Sequence, residues 1–136
     1  MIVADTNLLA YLLLGGTGTP AAQAVFLRDP VWTAPLLWRS EFRSILAGYL
    51  RRRELRIDDA IKVQQKAEAL LAGREHVVPS ERVLKLVASS TCSAYDCEFV
   101  ALADQLSVPL VTLDRAVLRE FPVVAISPSR FAPRGV

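Results

Sequence analysis

Four acidic residues lie within or directly beside apolar segments: Asp5, Glu41, Asp96 and Asp114. Carboxylates gathered without Lys or His partners repel one another, and a cation is the simplest remedy. An all-oxygen donor set suits a hard ion such as Mg2+ or Mn2+, which keeps waters and engages phosphate. Two such ions roughly 3.5–4 Å apart can stabilise both the attacking and the leaving oxygen of a phosphodiester. Metal-assisted phosphodiester hydrolysis is therefore the chemistry these residue types suggest, provided the fold brings them together.

Each acid also has a plainer explanation. Asp5 follows a short apolar run and precedes a helical pattern, so it suits a helix N-cap. Asp114 repeats that arrangement after Val108–Thr112. Asp96 sits three residues after Ser93, in a pattern like a capping box with Asp in place of Glu or Gln. Glu41 is harder to explain as local structure. It falls three and four residues after Trp38 and Leu37 and four before Ile45, on the apolar stripe of its helix. A salt bridge to an Arg from another element is its structural alternative.

The surrounding pattern alternates strands and helices. Strands are expected at Met1–Ala4, Val31–Thr33, His76–Val78, Val108–Thr112 and Val123–Ile126. Helices are expected over Leu8–Leu14, Ala21–Arg28, Pro35 to about Arg53, Asp58 or Asp59 to Gly73, Ser80–Ala88, Ser93–Leu106 and Arg115–Glu120. Pro35 suits a first helical turn, and Leu37, Trp38, Ile45, Leu46 and Tyr49 would form that helix's apolar stripe. Gly15-Gly16-Thr17-Gly18-Thr19-Pro20 reads as a loop. The tail from Ser127 holds Pro128 and Pro133 and reads as irregular. Alternation of this kind predicts a three-layer α/β fold with a parallel sheet. In such sheets ligands bind beyond the carboxyl ends of the strands, so Asp5 and Asp114 would share one edge.

The length of 136 residues fits one domain, 1–136. The apolar share of 52% leaves room for a dimer interface. A net charge of +2 does not by itself imply nucleic acid. Only Lys62, Lys66 and Lys85 are lysines, so thirteen of the sixteen basic residues are Arg. Arg suits bidentate phosphate contacts, and a genome biased toward Arg codons explains the count equally well. Cys92 and Cys97 lack a metal-finger spacing and read as a buried, reduced pair. No signal-peptide pattern and no apolar run of ~20 residues is present, so a cytoplasmic protein without a membrane span is expected.

Four segments resemble the motifs of PIN-domain ribonucleases: Val3-Ala4-Asp5-Thr6-Asn7, Trp38-Arg39-Ser40-Glu41, Tyr95-Asp96-Cys97 through Ala103, and Pro109 through Asp114. They occur in the family's order along nearly the whole chain, and the layout resembles the VapC-type toxins of bacterial toxin–antitoxin pairs. The resemblance implies a PIN-like α/β/α fold. It implies a Mg2+- or Mn2+-dependent endoribonuclease, a homodimer, and a small antitoxin encoded alongside. By carry-over Asp5, Glu41, Asp96 and Asp114 form the catalytic metal pocket, with Asp5 and Asp96 the foremost ligands. Thr112, with Thr6 and Asn7, would orient carboxylates or metal waters. Cys97 stands where the family more often has Ala, a neutral departure.

Arg39 and Arg43 flank Glu41 in sequence and are candidates for RNA phosphate contact. Arg51, Arg52, Arg53 and Arg56 suit the dipole at a helix end better than an RNA surface. Asp104 reads as a solvated helix position, and His76 is not placed near the acids. A haloacid-dehalogenase-like phosphotransferase also uses a strand-end Asp, yet it needs a second acid where this chain has Asn7 and a Lys near a strand end. A non-catalytic PIN-like RNA-binding module is the other alternative, and it gives no reason to hold four embedded charges.

Overall fold

A computed structural model describes residues 1–133. Five parallel strands form one sheet: β1 (Ile2–Ala4), β2 (Trp32–Pro35), β3 (Glu75–His76), β4 (Leu110–Val111) and β5 (Ala125–Ile126), in the order β3-β2-β1-β4-β5. The chain steps outward from β1 to β3, then returns to place β4 on the other side of β1. The strand order therefore reverses at β1 and β4, the kind of switch point where open α/β sheets open a crevice. Every residue of β1, β2 and β4 is buried, as expected for parallel strands covered on both faces. The architecture is the three-layer α/β/α one.

The helices are α1 (Thr6–Leu14), α2 (Thr19–Arg28), α3 (Trp38–Arg51), α4 (Ile57–Leu70), α5 (Ser80–Ala88), α6 (Ala94–Leu106), α7 (Arg115–Glu120) and the short α8 (Pro128–Phe131). The bounds of α5 and α7 match the sequence expectation. Helix α6 packs on β1, β2 and β4 and carries α5, while α1 packs on α2, α3 and α4. Five consecutive residues of α6, Phe99 to Ala103, are buried, so its apolar surface wraps well past a single stripe.

Three expectations are corrected. Pro35 ends β2 and does not begin a helix. The amides of Ala34 and Leu36 donate to carbonyls of Arg74 and His76, so the missing N–H of Pro35 falls on the opposite side of the strand. That is beyond the two registered pairs linking β1 to β2, Ile2 with Trp32 and Val3 with Thr33. The apolar stripe of α3 includes Phe42, fully buried and edge-on to Trp38 with ring centroids 5.9 Å apart. The tail from Ser127 is not irregular at its start. Ser127 accepts from the Arg130 amide and caps α8, which packs on α2, with the Arg28 guanidinium over the Phe131 ring. Residues 134–136 of that tail lie outside the described residues.

Gly18 is fixed by a close approach. A Cβ there would lie 2.6 Å from Cδ2 of the Tyr11 ring. The Thr19 hydroxyl donates to the Tyr11 carbonyl at 2.6 Å and holds the loop onto α1. Gly18→Ala is expected to destabilise by about 1–3 kcal/mol, the usual cost of overpacking, read as a lower urea midpoint with an unchanged slope.

Candidate metal centre

Asp5, Glu41, Asp96 and Asp114 all line one cavity of about 290 Å3 at the β1–β4 switch point. The sequence expectation that four distant acids meet is thus met geometrically. Asp5 directly follows β1, and its amide donates to the Val111 carbonyl of β4 at 3.1 Å. Asp114 enters from the loop after β4, Asp96 from the first turn of α6, and Glu41 from the first turn of α3.

Capping and convergence prove compatible. Asp5 caps α1 by accepting from the Asn7 amide at 3.2 Å, and Asp114 caps α7 by accepting from the Val117 amide at 3.0 Å. The Asp96 amide donates to the Ser93 hydroxyl at 3.1 Å, leaving the Asp96 carboxylate on the cavity wall. Each cap fixes the helix start from which its acid projects.

Two threonines hold the carboxylates in place. The Thr112 hydroxyl donates to Oδ2 of Asp5 at 2.7 Å and accepts from the Asp114 amide at 3.1 Å, tying the two strand-end acids together. The Thr6 hydroxyl donates to Oε1 of Glu41 at 2.8 Å. Both threonines are buried, where a hydrogen bond to a charged group is worth most.

Among the described residues no Lys, Arg or His lines the cavity, and none of the four acids makes an ion pair. The structural salt bridge considered for Glu41 is therefore absent among the described residues. Burial pushes the Asp5 carboxyl above the ordinary range; the Thr112 hydroxyl and the amides of Asn7 and Leu113 pull it back, and the charge of Asp114 raises it. Glu41 is raised by burial against the Thr6 hydrogen bond, and the charges of Asp5, Asp96 and Glu98 add to the rise. Asp96 is raised by burial, opposed by Ser93, with Asp114 adding repulsion. Three carboxyls are thus held above their ordinary values by burial, with repulsion from neighbouring acids adding to it, and a divalent ion would relieve that repulsion.

The donor set fits such an ion: four carboxylates, two threonine hydroxyls and the Asn7 side chain, all hard oxygen donors or their neighbours. Among the described residues no three His, Cys, Asp or Glu groups close up as a preformed ion cage. Mg2+ keeps several waters and takes one or two carboxylates directly, so it does not require such a cage.

Arg39 and Arg43 are not brought to the cavity: two positions along an α-helix is about 200°, so both face away from Glu41, and neither lines it. Arg39 grips Glu75 through Nε at 2.6 Å and Nη2 at 2.7 Å, and reaches Glu68 at 3.0 Å. The Trp38 indole donates to the same Glu75 at 2.7 Å. This cluster fastens the start of α3 to β3 and so helps fix the helix that carries Glu41. Arg43 borders a separate groove between α3 and α4. Asp104 is exposed and faces Arg82 at 3.9 Å. Cys92 and Cys97 are buried and free.

Ser44 also lines the cavity, one turn past Glu41, with Ile45, Phe99, Leu110 and Val117 supplying apolar wall. The i, i+3 spacing from Glu41 was the available signal for Ser44.

No family model matches the sequence, and no curated protein sequence matches it either. Solved structures do match. One, described as a toxin–antitoxin complex from Klebsiella pneumoniae, superposes with a TM-score of 0.71 at 16% identity, covering 94% of this chain and 98% of that one. PAE2754 from Pyrobaculum aerophilum gives 0.74 at 18% identity, covering 98% and 90%. FitAcB from Neisseria gonorrhoeae gives 0.73 at 19% identity, covering 94% and 98%. At this identity the likeness bears on architecture, and over nearly the full described length the chain has the PIN-like α/β/α fold that its motifs led one to expect.

Proposed function

We propose that this chain is a metal-dependent endoribonuclease and the toxin of a toxin–antitoxin pair. The observation that carries the proposal is the convergence of four carboxylates, without a cationic partner among the described residues, on one cavity at the sheet's switch point. The similarity in fold to a structure described as a toxin–antitoxin complex supports the toxin role, and the four motifs support the ribonuclease reading.

In this reading Asp5 and Asp96 would hold Mg2+ or Mn2+, and Glu41 and Asp114 would complete the acidic pocket around it. When bound, the ion supplies charge neutralisation at the phosphate and makes water easier to deprotonate. The chain's own residues do the rest. Thr112 and Thr6 fix the carboxylate orientations, so little reorganisation remains when charge develops. Phe99, Leu110 and Val117 give the cavity an apolar wall beside the acids, where charges interact more strongly than in bulk water. RNA as substrate, a homodimer, a cognate antitoxin and a cytoplasmic location belong to the same proposal; among the described residues no helix is long and apolar enough to cross a membrane.

The test is incubation of the purified protein with total cellular RNA, with Mg2+ or with EDTA, followed by mapping of the new 5′ ends. Discrete cut sites are expected with the metal and none with EDTA. RNA left intact under both conditions would defeat the proposal.

A further inference from the structure

A phosphodiester is an anion, and among the described residues this cavity is lined by four acids and no base. A bound cation can offset the acids, yet phosphate oxygens that do not touch the ion still need donors. The neutral polar lining consists of Thr6, Asn7, Ser44 and Thr112. Thr6 spends its hydroxyl proton on Glu41 and Thr112 spends its own on Asp5. The Asn7 main-chain amide is committed to Asp5. That leaves two side-chain donors in the lining without a partner among the described residues, the Ser44 hydroxyl and the Asn7 carboxamide.

Their placement is specific. Ser44 stands one turn after Glu41 on α3, and Asn7 directly follows Thr6 on α1. The Thr6–Glu41 hydrogen bond joins those two helices, so the free donors flank the bond that fixes Glu41. A serine inside a helix commonly returns its hydroxyl to the carbonyl four residues earlier. Ser44 makes no such bond to Ser40, and its side chain is exposed on the cavity. Its hydroxyl is available to a ligand.

We propose that Ser44 is a substrate-contact residue, donating its hydroxyl proton to a non-bridging phosphate oxygen of the RNA strand, with the Asn7 carboxamide as the second neutral donor. This rests on the ribonuclease reading above and names the groups that hold the substrate's anion without adding positive charge. A neutral donor also leaves the acids free for the metal, whereas an Arg at position 44 would pair with Glu41 and compete with the ion.

The test uses an RNA oligonucleotide spanning a mapped wild-type cut site. Ser44→Ala is expected to raise KM roughly ten- to 150-fold, the loss of one hydrogen bond to a charged group, with kcat changed far less. Ser44→Thr, which keeps the hydroxyl, is expected to stay within about threefold of the wild-type KM, a shift below the loss of a single hydrogen bond. The Mn2+ affinity of Ser44→Ala, titrated without RNA, is expected to match wild type. An unchanged KM in Ser44→Ala overturns the assignment, and so does a loss of Mn2+ affinity, which would make Ser44 part of the metal site. If the wild-type protein cuts no RNA, the ribonuclease reading itself fails and is recognised before any variant is compared.

Discussion

Asp5→Asn and Asp96→Asn are each expected to slow Mn2+-dependent RNA cleavage by on the order of a hundredfold or more while leaving the fold intact. Loss of a group that merely supports a metal ligand costs ~10–100-fold, so loss of a direct ligand sets a higher floor. Asn preserves the volume and one oxygen but removes the negative charge the ion needs. The local structure survives for identifiable reasons. Asn is as good an N-cap as Asp, so α1 keeps its acceptor for the Asn7 amide. At α6 the cap is Ser93, whose hydroxyl accepts from the Asp96 main-chain amide, a bond untouched by the substitution. Kinetics of both variants on one RNA, with circular dichroism as the folding control, check this. Wild-type rates in both would remove these two residues from the site.

The same substitutions are expected to raise the melting temperature of the metal-free protein, opposite to the usual effect of changing a partly buried residue. Asp5, Asp96 and Glu41 have folded-state carboxyls above their ordinary values of 3.8, 3.8 and 4.5. Their charged forms therefore oppose folding. The folded state binds more protons than the unfolded one over the interval between the two values, so stability falls as pH rises through it. It is recovered as pH drops from neutrality toward about 4, the ordinary carboxylate range. Metal-free protein should thus melt higher at pH 5 than at pH 7, and Asp5→Asn should flatten that trend. Each kcal/mol relieved moves the midpoint by roughly 3–5 °C in a domain this size. Mn2+ at about a hundred times its dissociation constant adds ~2.7 kcal/mol, a rise of roughly 8 °C or more. That rise should be larger at pH 7 than at pH 5, because protons compete for the same carboxylates. Scanning calorimetry at both pH values, with and without Mn2+, reads all of this. A marked loss of stability in both variants would mean that the charged carboxylates stabilise the fold and are not under strain in the absence of metal.

What the sequence showed, and what it hid, follows from the range of each interaction. Strand-end acids are legible because two parallel strands must present their carboxyl ends to one edge, so Asp5 and Asp114 could be paired from order alone. Ser80 and Arg115 mark helix starts because local chemistry decides there. Pro35 misled because its fixed φ suits a first helical turn as well as a strand end, and only the pairing partner β3 decides between them. Phe42 was passed over although it lies one turn from Trp38, because the width of a buried stripe depends on what packs against it. The ion pair of Arg39 was hidden for the same reason: its partner Glu75 is 36 residues away and joins it only once β3 lies beside β2. Ser44 was hidden because a serine in a helix is unremarkable until the cavity beside it has a shape. The capping explanations for Asp5 and Asp114 were correct as geometry, and the structure shows the same side chains capping and converging.

On the reading proposed above, the acid quartet is a divalent-ion site for RNA hydrolysis. The most direct measurement is the cleavage rate of one RNA oligonucleotide as a function of Mn2+ concentration, for wild type and Asp96→Asn side by side. No cleavage is expected in EDTA, with a saturable rise with Mn2+ for wild type and a rate at least a hundredfold lower for Asp96→Asn. Wild-type cleavage that persists in EDTA, or an Asp96→Asn curve that overlays the wild-type one, would contradict it.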